Sequence, residues 1–263
     1  MVNGRHRWLV GIRGRPHRTP LLVKANEAAL SKRFEITHQA RGSRARTGVL
    51  HTAHGDVDTP FVGVFGSAGS ANGVGPAELR ALGASVLFAS TSQILIRPGA
   101  DAVRGLGGLH RFLAWDGPLL TDSGRALPED DRARSRSAAA RLVRVDDDGL
   151  TFTSHIDGTR LPLTPESSIA AQEAFGADIA LALDPPPGHA TPARIADWAQ
   201  RALAARTRED QMLYGVVSDG PLASRSAQVI GDLPFDGVTL SGDVEIVLPI
   251  LPQAWPRHLV GSG

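Results

Sequence analysis

The sequence has no cysteine, which excludes disulfides, thiolate nucleophiles, Fe–S clusters and every Cys-based zinc site. It also leaves the redox compartment unreadable. Nine histidines remain as possible ligands, but only His51 and His54 lie close together, and no His-Glu-x-x-His pattern accompanies them. No metal and no cofactor is expected. No apolar run approaches the roughly 18 to 20 residues of a membrane span, so a transmembrane helix is excluded. Net charge is nearly absent too: 28 Lys and Arg against 27 Asp and Glu give +1, which alone predicts no affinity for nucleic acid.

What is present is the composition of a globular protein, 42% hydrophobic and 21% charged over 263 residues. At about 150 residues per domain this is one or two domains, and chains of about 200 to 250 residues often form a single α/β barrel. The charge is unevenly spread. Residues 1–46 hold eleven Lys or Arg against Glu27 and Glu35, leaving the remainder acidic. A basic arm on an acidic body can attract RNA phosphates; it can equally be a solvated leader or follow from a start codon read too early. The arm is Arg-rich like a transit peptide, yet Gly11, Gly14, Pro16 and Pro20 interrupt its apolar residues. The division expected is a disordered arm at 1–33 and one domain at 34–263, in the cytoplasm.

Beyond Phe34, short apolar runs end in Gly, Ser, Thr or Asp and alternate with stretches of helical composition, the pattern of βα units. The runs are Phe61–Phe65, Val86–Ala89, Pro118–Thr121, Asp178–Leu183, Leu213–Val217, Gly237–Leu240 and His258–Gly261. Helices are predicted at Pro76–Leu82, Pro165–Phe175, Pro192–Asp210 and Leu222–Ile230, three of them starting on proline, whose missing N–H costs little there. Leu142–Val145 and Leu150–Phe152 flank Asp146-Asp147-Asp148-Gly149, and Asp157-Gly158 precedes Leu161–Leu163, which reads as a β-hairpin insertion after the third strand. Residues 126–140 read as a mobile loop. The fold class predicted is α/β, a (β/α)8 TIM-barrel-like architecture that is incomplete, with about seven βα units.

Active sites of such barrels lie at the C-terminal ends of the strands. The polar residues that follow the runs are Ser90, Asp122, Asp184, Ser218 and Ser241. Two carboxylates aimed into one mouth can do acid/base work or grip the N–H groups of a purine edge. An Asp at a strand end can also simply cap the next turn, and spacing alone leaves both readings open.

The surrounding residues carry more. Ala45-Arg46-Thr47-Gly48, His54-Gly55 with Thr59-Pro60, Arg97-Pro98-Gly99, Gly107-Gly108-Leu109-His110, Thr121-Asp122-Ser123-Gly124, Ile156-Asp157-Gly158, Pro165-Glu166-Ser167-Ser168-Ile169 with Gln172, and Pro256-Arg257 with Gly261 together resemble the queuine/archaeosine tRNA-ribosyltransferases, the tRNA-guanine transglycosylases, in order from about residue 34 to 263. The resemblance implies a barrel that exchanges guanine in tRNA for a 7-deazaguanine through a covalent intermediate, by the logic of a retaining glycosidase. It assigns Asp122 to base binding and proton transfer and Asp184 to reading the purine's amino and ring N–H groups. Ser123, Ser218, Gly220 and Gly242 fall on substrate-binding positions.

The departures are as specific. Gly124-Arg125-Ala126-Leu127 stands where the family has Gly-Gly-Phe-Gln, placing a bulky cation where small backbone is wanted. Ser218-Asp219-Gly220 replaces Gln-Gly-Gly, a donor shortened by about two carbons that needs a water to bridge the gap, and Ser241-Gly242-Asp243 replaces Gly-Gly-Leu. Ser90, Ser92 and Gln93 replace Asn, Tyr and His. The family's nucleophilic aspartate and zinc subdomain lie beyond the segment that Pro256–Gly261 resembles, so both are expected to be missing. Asp243 and Glu245 are the substitute nucleophiles available, although exposed loop acids read the same way. A partner chain, a second copy or a complete homologue, could instead supply the closing strand. The functions kept open are base exchange at an N-glycosidic bond of tRNA, DNA or a nucleoside, a non-catalytic base-binding or scaffold subunit, and an inactive fragment.

Overall fold

The computed structural model describes residues 33–66, 73–125, 141–243, 247–251 and 258–262. The basic arm up to residue 32 and the loop read at 126–140 lie outside them. Three strands come first, β1 (Phe34–Gln39), β2 (Arg46–Thr52) and β3 (Gly55–Thr59), in an antiparallel sheet. Next come β4 (Val64–Phe65), α1 (Pro76–Ala81), β5 (Leu87–Ala89), α2 (Thr91–Ile96), α3 (Ala100–Gly105), α4 (Leu109–Phe112) and β6 (Leu119–Thr121). An antiparallel insertion follows: β7 (Arg141–Val145), β8 (Leu150–Thr153) and β9 (Arg160–Leu163). The chain then runs through α5 (Pro165–Phe175), β10 (Ile179–Leu181), α6 (Pro192–Ala205), β11 (Met212–Ser218), α7 (Ala223–Asp232), β12 (Gly237–Ser241), a 3-10 turn at Leu248–Ile250 and β13 (His258–Ser262).

The seven expected strands are all there, in one sheet ordered β13-β12-β11-β10-β6-β5-β4 with every neighbouring pair parallel. Each strand lies beside the preceding parallel strand, the singly wound order of a β/α barrel, whereas a doubly wound sheet reverses direction part-way. The fold is thus an incomplete TIM-barrel-like α/β architecture. The insertion after the third parallel strand has three strands, the third on the run read at Leu161–Leu163.

Both faces of the sheet are buried, which is why its strands read as continuous apolar runs. Leu213, Val217, Val238 and Leu240 pack outward with Ala199, Ala202, Ala227 and Ile230 of α6 and α7. Val86, Leu120, Ile179, Leu181, Met212, Tyr214 and Val216 pack on the other face with Leu50 and Val57 of the antiparallel sheet. Gly237 makes room there, because a Cβ on it would strike the Tyr214 ring. The antiparallel sheet therefore fills the concave side of the parallel one.

The antiparallel sheet is pinned by Asp178, which lies just before β10 and is almost wholly buried. Its Oδ1 accepts from the backbone N–H of His54 (3.2 Å) and from His54 Nδ1 (2.8 Å), and its Oδ2 accepts from the N–H of Leu119 (2.9 Å). His110 Nε2 stands 3.3 Å from Oδ2. Burial pushes this carboxyl up, but the hydrogen bonds from His110, His54 and Leu119 outweigh it and hold it below the ordinary aspartate value.

Two helix predictions need correction. The α6 helix stops at Ala205 rather than Asp210, because Arg206 turns extended and residues 206–210 bond elsewhere: Arg206 to the carbonyl of Gln211 (2.7 Å) and Thr207 N–H to Glu173 (2.6 Å). The α7 helix spans Ala223–Asp232 rather than 222–230.

The buried polar groups of this architecture can be tested by substitution. Gln172 on α5 is fully buried; its Oε1 accepts from Thr121 Oγ1 and from Leu181 N–H, and its Nε2 donates to Ser168 Oγ and to the carbonyl of Leu181. Gln172→Met removes these bonds; Ser168 Oγ keeps its bond to the Ser123 carbonyl, and urea denaturation should show a loss of about 1–3 kcal/mol for each group left stranded. At Asp178 the readout is pH. A depressed carboxyl stabilises the fold above the unfolded value of about 3.9, and that contribution is lost as pH falls through the lower folded value. Wild-type stability should therefore fall more steeply with acid below about pH 4 than that of Asp178→Asn, measured as melting midpoint against pH.

Candidate active site

Asp122 follows β6 directly, and its N–H donates to the carbonyl of Ala89 at the end of β5 (3.1 Å). One carboxylate oxygen accepts from the N–H groups of Thr91 (2.9 Å) and Gly124 (2.8 Å), and the Thr91 hydroxyl donates to the carbonyl of Asp122 (2.6 Å). Burial drives the Asp122 carboxyl above its ordinary range, and the hydrogen bonds from Gly124, Thr91 and Ser90, with the charge of Arg125, offset that only in part. A carboxyl so placed holds a proton more readily than a free one.

The turn behind Asp122 is fixed on both sides. The buried Ser123 has its carbonyl held by Ser168 Oγ of α5 (2.7 Å). Gly124 adopts φ +82°, a conformation that an L side chain resists, and a Cβ there would also crowd Leu163 and Thr91.

Asp184 stands three residues beyond β10. Its Oδ2 accepts from Ser218 Oγ at the end of β11 (2.7 Å) and pairs with Arg125 Nη1 (2.9 Å). Arg125 reaches further: Nη1 lies 3.5 Å from Ser218 Oγ, and Nη2 donates to Ser241 Oγ at the end of β12 (3.0 Å). Flat strands spaced about 4.8 Å apart would put β6 and β12 about 14 Å from each other, and one side chain following β6 bridges to the end of β12. The strand ends therefore close around the guanidinium. Both partners of the ion pair are largely buried, with side chains 14% and 13% exposed.

The sequence-predicted residues thus fall into two groups. Asp184 and Ser218 gather around Arg125, and Asp122 stands three positions before it, its carboxylate on Thr91 and Gly124. Gly220 and Gly242 lie in the loops after β11 and β12 with φ of +106° and +92°, and Asp219 rather than a ligand occupies the space over Gly242. Asp243 is exposed, its N–H donating to Asp219 Oδ2 (3.1 Å). Glu245 lies outside the described residues. Thr239 escaped the sequence reading: it lies two residues before Ser241 in β12 and hence on the same sheet face, is 3% exposed, and its hydroxyl has no hydrogen-bond partner among the described residues. Period-two alternation from Ser241 was the signal that could have found it.

A cavity of about 40 Å³ lies beside Asp184, lined by Ala182, Pro185, Ile195, Val216, Ser218 and Leu222 among others. A cavity of about 150 Å³ is what takes up one benzene, so this space, which lies toward α6 and α7 and is not lined by Arg125, is too small for a purine.

At the opposite ends of the strands, His54, His110 and Asp178 are the one group among the described residues with metal-ligand spacing. The imidazoles stack at 3.5 Å, which directs their in-plane lone pairs alongside each other. His54 Nδ1 faces a carboxylate oxygen, and His110 Nε2 faces both Asp178 and the carbonyl of Gly117 (3.1 Å). Together they tie the turn between β2 and β3 to the start of β10 and to the segment leading into β6.

Residues 41–263 match the family model described as queuine tRNA-ribosyltransferase. Among curated relatives, the queuine tRNA-ribosyltransferase of a Thermus thermophilus strain is 40% identical over 254 residues, covering 88% of this chain and 63% of the relative. That of Sorangium cellulosum is 39% identical, covering 88% and 62%, and that of Prochlorococcus marinus is 35% identical, covering 88% and 66%. The chain spans less than two thirds of the length of these relatives.

The Arg125–Asp184 pair is testable by a double-mutant cycle. Asp184→Asn strands a largely buried guanidinium and should cost about 3–5 kcal/mol, whereas Arg125→Met with Asp184→Asn should cost less than the sum of the two single changes. Chemical denaturation measures the coupling, and strict additivity would mean the pair behaves as a solvent-screened surface contact.

Proposed function

Because the chain belongs to the queuine tRNA-ribosyltransferase family, we propose that its strand-end mouth binds guanine or a 7-deazaguanine and exchanges it at the N-glycosidic bond of tRNA or a related nucleic acid or nucleoside. The observation that carries this reading is the placement of two carboxylates at adjacent strand ends: Asp122 is held just beyond β6 by the N–H groups of Thr91 and Gly124, and Asp184 beyond β10 meets the planar N–H donor of Arg125. Asp184 Oδ2 takes one N–H of a planar guanidinium, with Ser218 donating to the same oxygen, and a carboxylate so placed suits the N–H donor edge of guanine.

Asp122, held partly out of water with a raised proton affinity, suits delivery of a proton to the departing base and its removal from the incoming one. The base–sugar bond breaks with its electron pair going to the base nitrogen, which takes the proton. Attack on the sugar carbon calls for a further carboxylate, and Asp243, beyond the end of β12, is the described candidate.

Labelled guanine offered with tRNA, DNA and free nucleosides tests the proposal, and incorporation into none of them overturns exchange. Asp122→Asn should lower incorporation by about two orders of magnitude, within the usual range for removing a general acid or base. The same substitution should raise the melting midpoint at pH 7. A carboxyl with a raised folded value destabilises the protein increasingly as pH rises above the unfolded value, and the amide oxygen still accepts from Thr91 and Gly124. The Arg125–Asp184 pair also favours a second reading, a subunit that holds a base without exchanging it; guanine binding with no incorporation would select it.

A further inference from the structure

The guanidinium of Arg125 and the N1–H, 2-amino edge of guanine present the same pattern: coplanar N–H donors on a delocalised carbon–nitrogen frame, matched to a carboxylate. We infer that Arg125 is an intramolecular ligand of the base site, occupying the place of the purine's donor edge, so that a guanine-type base enters only when Arg125 has left Asp184. This deepens the proposed function and rests on its reading of Asp184 as the base-reading group.

Three observations carry the inference. Arg125 takes up Asp184 Oδ2 and the hydroxyls of Ser218 and Ser241, the polar groups at the ends of three strands. The turn that aims Arg125 across the mouth is built from other residues: Gly124 in its left-handed conformation, the Asp122 carboxylate bonded to Gly124 N–H, and the Ser123 carbonyl bonded to Ser168. Removing the side chain at 125 therefore leaves that turn its supports. Beneath Ser241, the buried Thr239 hydroxyl lacks a partner among the described residues, although buried polar groups are normally paired; the Arg-filled state leaves donor or acceptor capacity in the site unused.

The consequence is competition for a single carboxylate. A ligand that binds only the Arg-free population shows an affinity reduced by the fraction of molecules in that state. Taking away the side chain removes that reduction and leaves Asp184 in need of N–H donors.

Isothermal titration of guanine into the wild type, Arg125→Ala and Arg125→Gln, with adenine as the control lacking the donor edge, tests this. Arg125→Ala should bind guanine at least tenfold more tightly than the wild type and adenine no better, and ethylguanidine should compete with guanine for the variant. Arg125→Gln keeps one amide donor for Asp184 and is too short to bridge to Ser241, so it should fall between the two; it also carries the comparison if the alanine variant lacks a cooperative melt. Guanine affinity equal in the wild type and a folded variant overturns the inference and leaves the base site standing. Guanine binding by none of the three overturns the base site together with it.

Discussion

One amide on α5 sets the spacing of the two carboxylates at the mouth. Gln172 has two donor hydrogens and two acceptor lone pairs, and all four are engaged: by Thr121 and Leu181 on the oxygen side, by Ser168 and Leu181 on the nitrogen side. Its own carbonyl accepts from the buried Gln211. Thr121 immediately precedes Asp122, and Leu181 precedes Asp184 by three residues. A slip of α5 against the strands by one residue would strand several of these groups in a place without water, so the helix has one register and the carboxylates have one separation. Ser168, one turn earlier on the same helix, extends the hold to the Ser123 carbonyl.

The three carboxylates that matter differ only in surroundings. Asp178 is shared among backbone N–H groups and two imidazoles, which stabilise its ionised form. Asp122 receives two backbone N–H bonds as well, but burial outweighs them and favours the neutral form. Asp184 is matched by a cation. Environments that push like groups apart let one side-chain type serve different ends in one domain: a structural tie at Asp178 and, in the proposed function, proton transfer at Asp122 and base recognition at Asp184. The strand-end polarity separates them: the structural carboxylate lies before β10, the other two beyond the ends of β6 and β10.

The parallel sheet was legible because strands buried on both faces are written as unbroken apolar runs, and all seven were located within a few residues. The antiparallel sheet was not: five of the six residues of β1 are exposed, so no apolar alternation marks it, and the sheet is held in place by Asp178, 124 positions from His54. The helices α2 to α4, four to six residues each, are too short to show a period. The overshoot at α6 arose because residues 206–210 have helical composition and are drawn away by Glu173 and by backbone carbonyls. At the site, Asp122, Asp184 and Ser218 were found by their place after the runs. Arg125 showed only as a departure from the family pattern. Where its side chain goes depends on the turn at Gly124 and on groups 59 to 116 positions away, and local pattern does not record these.

An arginine in that place is a physical solution to a problem the site creates. Two carboxylates facing one partly dry mouth repel each other unless something between them carries hydrogen-bond donors or positive charge. In a base-exchanging site the purine supplies donors to one carboxylate and exchanges a proton with the other; between visits the mouth must fill with water, shift its protonation or find a substitute. This chain has a substitute of its own, tethered three positions from one carboxylate and bonded to the other. The same tether that relieves the repulsion makes the guanidinium a competitor for every ligand that needs Asp184, so stability of the unliganded mouth and affinity for a base are set against each other through a single side chain.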